Sequence, residues 1–235
     1  MIDIMNILNE CIVDIELNPS KNLFDVGKQK ERFGSLFKEI VPISEGKFTP
    51  AYTRLFREYT DYIKTEKRLI ILLGPSGTSK TYILQQEAQK RFMIYILCND
   101  GDSSAVERDS SFTLLRLYLK EIENQGEDEK LRLISIFMIA RLCYLKLALD
   151  KAKRERKELK PSDFFMMQIN GHSKQTESLF EELKKNLKGR YGWIDTLKSL
   201  VGEIHEILQT YNISQKKICF AIDEASIANQ LFPQQ

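Results

Sequence analysis

Cysteine is scarce and scattered. The four cysteines, Cys11, Cys98, Cys143 and Cys219, make no C-x-x-C pair, so neither a disulfide framework nor a thiol-rich metal site is read from them. Cys98 and Cys219 fall within apolar runs, where a free thiol behaves as a small hydrophobe, and a reducing compartment is the simplest reading. Histidine is scarcer still. His172 and His205 stand at no metal-ligand spacing with the cysteines, and His205, on a helical pattern, reads as a surface or boundary residue. Charge of one sign is also missing. The 35 Lys and Arg nearly balance the 33 Asp and Glu, leaving a net charge of +2, too little to force a nucleic-acid partner. No apolar run is long and clean enough to span a membrane. The strongest, residues 131–149, is interrupted by Arg132, Arg141 and Lys146 and reads as a buried helix instead. The first residues carry Asp3, Glu10 and Asp14 and lack the basic start and small-residue cleavage site of a secretory signal. An intracellular protein with no membrane partner is therefore expected. What is present is ample apolar material: 43% of 235 residues are hydrophobic and 29% charged, enough to bury a core and unlike a disordered chain.

The most specific feature is a loop. Residues 69–73 form a continuous apolar run, as a buried parallel strand requires. Gly74, Pro75, Ser76, Gly77, Thr78, Ser79, Lys80 and Thr81 follow, and good helix formers occupy residues 82–91. Strand, glycine-containing loop and helix in this order make a phosphate-binding P-loop. Gly74 and Gly77 would allow the backbone to turn sharply and aim its N–H groups at phosphate oxygens. Lys80 would place a point charge against the β and γ phosphates, and Thr81 would give its hydroxyl to Mg²⁺. Ser79 departs from the pattern, which has glycine before the lysine. Its Cβ is expected to weaken affinity or rate rather than abolish the site.

A P-loop needs an acidic partner. Residues 218–222 are an apolar strand ending in Asp223 and Glu224, the form of a Walker B strand. Asp223 would hold Mg²⁺ beside Thr81, and Glu224 would act as general base toward the attacking water. Ligands in open α/β sheets bind at the carboxyl ends of the strands, which is where both acids stand. The interval from Lys80 to Asp223 is longer than a compact P-loop domain needs, so a large insertion is expected between the two strands.

The rest of the pattern agrees. Residues 92–98 read as a second apolar strand, and the polar residues 99–104 as a loop that could line the site, without the ligand spacing of an EF-hand. Helices are expected over 109–123, from 127 to Lys160 before Pro161, over 175–188 and over 194–211. Residues 164–169 read either as a short strand or as the start of a helix. The basic run 151–160 is interleaved with glutamates and fits a solvated, ion-paired helix end better than a nucleic-acid patch. Upstream, Thr49 and Pro50 cap a helical pattern whose face carries Tyr52, Leu55, Phe56, Tyr59, Tyr62 and Ile63. Packing against a sheet is the preferred reading of that face over a base-stacking platform.

Taken together, the P-loop, the tyrosine-rich helix, the strand that follows Arg91 and the Asp223–Glu224 pair give the chain a family likeness. From about residue 48 to 225 it resembles the P-loop NTPase module of Crinkler-type proteins, large effector families of oomycetes and some fungi. The resemblance implies an ATPase or GTPase module that longer members join to a nuclease-like or kinase-like domain. It also implies delivery to host cells and action in the nucleus, although no delivery motif is seen. Carried over, Lys80 and Thr81 are Walker A residues, and Asp223 and Glu224 Walker B residues. Members of this class continue with strands bearing a polar sensor and an arginine for the γ-phosphate. Neither is located between Glu224 and Gln235, so the domain is expected to be incomplete at its C-terminal end.

The expected architecture is an α/β P-loop NTPase with a mostly parallel sheet flanked by helices and a large helical insertion between the Walker A and Walker B strands. Residues 1–47 form a lead-in and 48–235 the NTPase domain, with the insertion at about 105–212. The expected function is binding of ATP or GTP with Mg²⁺, and its hydrolysis. Two alternatives stay open: a non-hydrolysing, nucleotide-gated module for interaction or self-association, and a DNA-acting nuclear effector with a host nuclear protein or DNA as partner.

Overall fold

The computed structural model describes residues 84, 86–98, 109–169, 173–187, 192–211 and 217–223. Within them the protein is mixed α/β, mostly helical, with one small parallel sheet. Helical backbone at residues 84, 86 and 87 gives way to a turn at 88–90, earlier than the pattern through Arg91 predicts. Buried Glu87 draws both Lys90 (2.7 Å) and Arg91 (3.3 Å) to its carboxylate there, and the chain enters the sheet at once.

Strand β1, Met93–Leu97, is the apolar run expected at 92–98, and every residue of it is buried. Strand β2, Cys219–Asp223, pairs with it in parallel, in a register running from Met93 opposite Cys219 to Leu97 opposite Asp223. A parallel pair cannot be closed by a hairpin and needs a long crossover. Here the crossover is the helical segment between the strands: α1 (Ser110–Glu121), α2 (Glu127–Arg154), α3 (Pro161–Ile169), α4 (Ser173–Asn186) and α5 (Trp193–Gln209).

Helix α2 is the centre of the packing. From Ile139 to Leu145 every residue is buried, as is Lys146. A helix apolar on all sides is a core helix, and α2 packs against α1, α4, α5 and β1. This explains its hydrophobicity without a bilayer; among the described residues no helix is long and apolar enough to cross a membrane. Phe137 meets Phe180 of α4 edge-on at 5.8 Å, and Tyr144 lies 5.7 Å from Phe164 of α3. Glu127, Asp128 and Glu129 in its first turn, and Lys151, Lys153 and Arg154 in its last, complement the helix dipole. Helix α5 is amphipathic, burying Thr196, Leu200, Ile204 and Leu208 at four-residue steps. His205 stands half-buried beside them, a boundary residue.

One sequence expectation is corrected, and one that was open is decided. The helix expected to reach Lys160 ends at Arg154. Arg156 adopts a left-handed φ of 55°, Lys157 N–H donates to Ala152 C=O (2.9 Å) and Arg156 N–H to Lys153 C=O (3.2 Å). This is a Schellman stop built on arginine instead of glycine. Beyond this stop, Leu159 is buried in the core. Residues 164–169, open between strand and helix, are helical. Pro161 stands at the first helical position, and Asp163 and Phe164 N–H both donate to Lys160 C=O at 3.1 Å. Helical spacing buries Phe164, Phe165 and Gln168 against β1 and α2.

Candidate functional site

Gly74, Pro75, Ser76, Gly77, Thr78, Ser79, Lys80, Thr81 and Glu224 lie outside the described residues, as do residues 99–104 and the helical pattern at 52–63. Asp223 lies within them. It closes β2 at the carboxyl end of the parallel pair and is buried, with 7% of its surface exposed. Along β2 the side chains alternate: Ala221 and Asp223 are buried, while Phe220 and Ile222, on the opposite face, are exposed.

The Tyr95 hydroxyl of β1 donates to Asp223 Oδ2 at 2.9 Å. Tyr95 stands opposite Ala221 in the register, so its ring leans along the sheet over a small side chain to reach the acid two residues on. Contacts to its ring and to its backbone hold Tyr95 in place. Its ring meets Phe165 of α3 at 5.1 Å. Its N–H donates to Gln168 Oε1 at 2.9 Å. Its carbonyl accepts from Arg141 Nη1 of α2 at 3.5 Å.

Gln168 does more than hold one residue. Its Nε2 also donates to Met93 C=O at 2.8 Å and to Phe164 C=O at 3.3 Å. The even-numbered positions of β1 face β2, since Cys98 N–H donates to Asp223 C=O and Cys219 N–H to Phe92 C=O, both at 3.0 Å. Met93 and Tyr95 therefore present their backbone groups to the other edge, and Gln168 and Arg141 occupy it. A side-chain amide and a guanidinium satisfy backbone groups that would otherwise be buried unpaired or would template another strand.

Arg141 is fixed in turn. Its Nη2 bonds the Asp109 carboxylate and donates to Ser111 Oγ at 2.6 Å, and its guanidinium lies over the Phe137 ring at 5.1 Å. Asp109 caps α1, its carboxylate accepting from Phe112 N–H at 3.1 Å and from Ser111 Oγ at 2.8 Å. Acid and base thus neutralise each other in a hydrogen-bonded pair. Cys98, next to the end of β1, has its thiol pushed up to about 12 by burial, with the charge of Asp109 adding to the effect. It stays protonated at neutral pH and is no nucleophile. Burial also raises the Cys219 thiol. Neither cysteine is in a disulfide.

Among the described residues, the chemistry offered at the strand ends is the oriented carboxylate of Asp223. Among the described residues no three His, Cys, Asp or Glu cluster as a metal cage. A buried carboxylate at a strand end is a residue type that could hold Mg²⁺, which is bound through one or two carboxylates and shared with substrate phosphates. The basic run beyond α2 is ion-paired, with Glu155 taking Lys157 at 2.7 Å and Lys151 at 3.9 Å. Sequence reasoning did not single out Tyr95, Gln168 and Asp109 as site-building residues, and it read Arg141 only as an interruption of an apolar helix. The available signals were a phenol in an otherwise aliphatic strand and an arginine in an apolar helix. No protein-family model, no curated protein and no solved structure matches the chain.

Proposed function

We propose that the chain is a P-loop NTPase module of the Crinkler type that binds ATP or GTP with Mg²⁺ and hydrolyses it. The observation that carries this reading is the position of Asp223: a buried, oriented carboxylate at the carboxyl end of a strand that pairs in parallel with the strand following the P-loop sequence. A P-loop followed by such an acid is the arrangement a nucleotide–metal site requires. The filled outer edge of β1 adds support. It leaves the β2 side of the pair for further strands, as the sheet of such a fold requires. The helices between β1 and β2 account for the long interval from Lys80 to Asp223.

In this reading the backbone of residues 74–81 cradles the phosphates, and Lys80 opposes the charge on the β and γ groups. Thr81 and Asp223 would hold Mg²⁺, which supplies further neutralisation of that charge. Glu224 orients and deprotonates the attacking water. Titration of the full chain with fluorescent ATP and GTP analogues, with and without Mg²⁺, tests the proposal. Lys80→Ala is expected to weaken binding at least about tenfold, and Glu224→Gln to preserve binding while turnover falls about 10²-fold or more. Lys80→Ala binding as tightly as the parent overturns the site. Stoichiometric binding without turnover assigns the chain to nucleotide-gated interaction modules.

A further inference from the structure

We propose that the carboxyl end of α2 and the link to α3 form a docking surface for the phosphate backbone of duplex nucleic acid, recognised by charge and not by base sequence. The surface does not depend on the proposed nucleotide site.

The net charge of +2 hides an asymmetry. Residues 151–160 hold six basic and two acidic side chains, a surplus of +4, which leaves the rest of the chain at −2. The pattern alone reads as an ion-paired helix end, and the structure meets that reading at two cations: Glu155 takes Lys151 and Lys157. Lys153, Arg154, Arg156 and Lys160 are exposed, and among the described residues no carboxylate forms an ion pair with any of them. Glu158, the other acid of the segment, is exposed as well. The negative end of the α2 dipole amounts to about half a charge, well short of these four cations.

Arg156 carries the argument further. Its φ of 55° lies in the left-handed region, where glycine is the usual residue at a helix stop and a residue with a Cβ is strained. The stop needs no side chain there, because backbone groups make both of its hydrogen bonds, Lys157 N–H to Ala152 C=O and Arg156 N–H to Lys153 C=O. What arginine adds at that position is an exposed cation, kept at a cost in backbone strain. The same two bonds fix the turn that carries it.

The surroundings select the partner. A helix that docks on a membrane adds an apolar face to its charge, and the apolar residues of this segment, Ala152 and Leu159, are both buried. A protein interface is anchored by aromatic or apolar side chains at its centre, and single strands are held by stacking on aromatic rings; residues 151–160 contain no aromatic residue. Duplex phosphates need neither, since lysine and arginine bind them by releasing condensed counterions.

The full chain is titrated into a fluorescein-labelled DNA duplex of mixed sequence, and anisotropy is followed from about 50 to about 200 mM salt. The expected dissociation constant is about 10⁻⁴–10⁻⁶ M. The expected slope of log affinity against log salt is about −3.6 for four phosphate contacts, a loss of roughly 10²-fold over that range. Arg156→Gly is expected to weaken binding several-fold and to flatten the slope by about 0.9, with a thermal midpoint at or above the parent's because the strain is relieved. The triple variant Lys153→Gln, Arg154→Gln, Lys160→Gln is expected to flatten the slope by about 2.7. Lys198→Gln removes an exposed cation of α5, paired with Asp195 at 3.6 Å, and is expected to leave the slope unchanged. No duplex binding at about 50 mM salt, parental slopes in Arg156→Gly and the triple variant, or an equal loss in Lys198→Gln overturns the proposal. Tighter binding of poly-glutamate, phosphatidylserine vesicles or the matched single strand than of the duplex also overturns it, in favour of an acidic protein, a membrane or a single-stranded partner.

Discussion

The two strands of the sheet have the same length and similar apolar composition, yet they live in different surroundings. Every residue of β1 is buried; β2 alternates between buried and exposed positions. The contrast is sharpest at paired residues. Ile96 is 4% exposed and its partner Ile222 56%. Hydrophobicity of the strand does not separate them. What does is the material laid against each: α2 and α3 enclose β1 on its faces and its outer edge, while one face of β2 is exposed and the other carries Asp223. An enclosed strand serves as foundation, and its neighbour ends in the buried carboxylate of Asp223.

The comparison can be broken most severely at the outer edge of β1. Replacing Arg141 by Met keeps bulk but leaves the buried Asp109 carboxylate without its cation. A loss of about 3–5 kcal/mol is expected in denaturant unfolding, and a stability within 1 kcal/mol of the parent would show that the pair contributes little. Next, Ile96→Ala and Ile222→Ala set the two strands side by side. The first is expected to cost about 2–5 kcal/mol by opening a cavity, the second about 0.5 kcal/mol or less; equal costs would refute the contrast. The smallest large effect is expected at Gln168. Gln168→Leu strips partners from Met93 C=O and Tyr95 N–H and should cost about 1–3 kcal/mol. Hydrogen exchange at Tyr95 N–H, accelerated relative to Ile94 and Ile96 if the edge has opened, distinguishes a lost cap from general loosening.

Much of this fold was legible in residue pattern. The apolar runs of β1 and β2, the start of α1 at Asp109, the stop before Gly126 and the buried character of α2 follow from periodicity and caps, because these are local properties. The end of α2 was not legible. Residues 151–160 are good helix formers, and nothing in their pattern marks the left-handed Arg156 at which the helix stops. Residues 164–169 were ambiguous because a short continuous apolar run has no period to read. The candidate site divides the same way. Asp223 is visible as an acid ending an apolar strand. Its partner Tyr95 stands far away in sequence and is joined to it only by the register of a parallel pair.

The sequence by itself determined where apolar segments begin and end, the order strand–helices–strand, and the identity of the acid that closes β2. Tertiary structure alone decided that these two strands are neighbours, in a register bringing a phenol to that acid, and that a glutamine and an arginine from separate helices finish the edge of β1. The physical reason is range. Helix caps, turns and periodicity act within a few residues. A buried hydrogen bond between distant side chains exists only once packing has excluded water and fixed both partners.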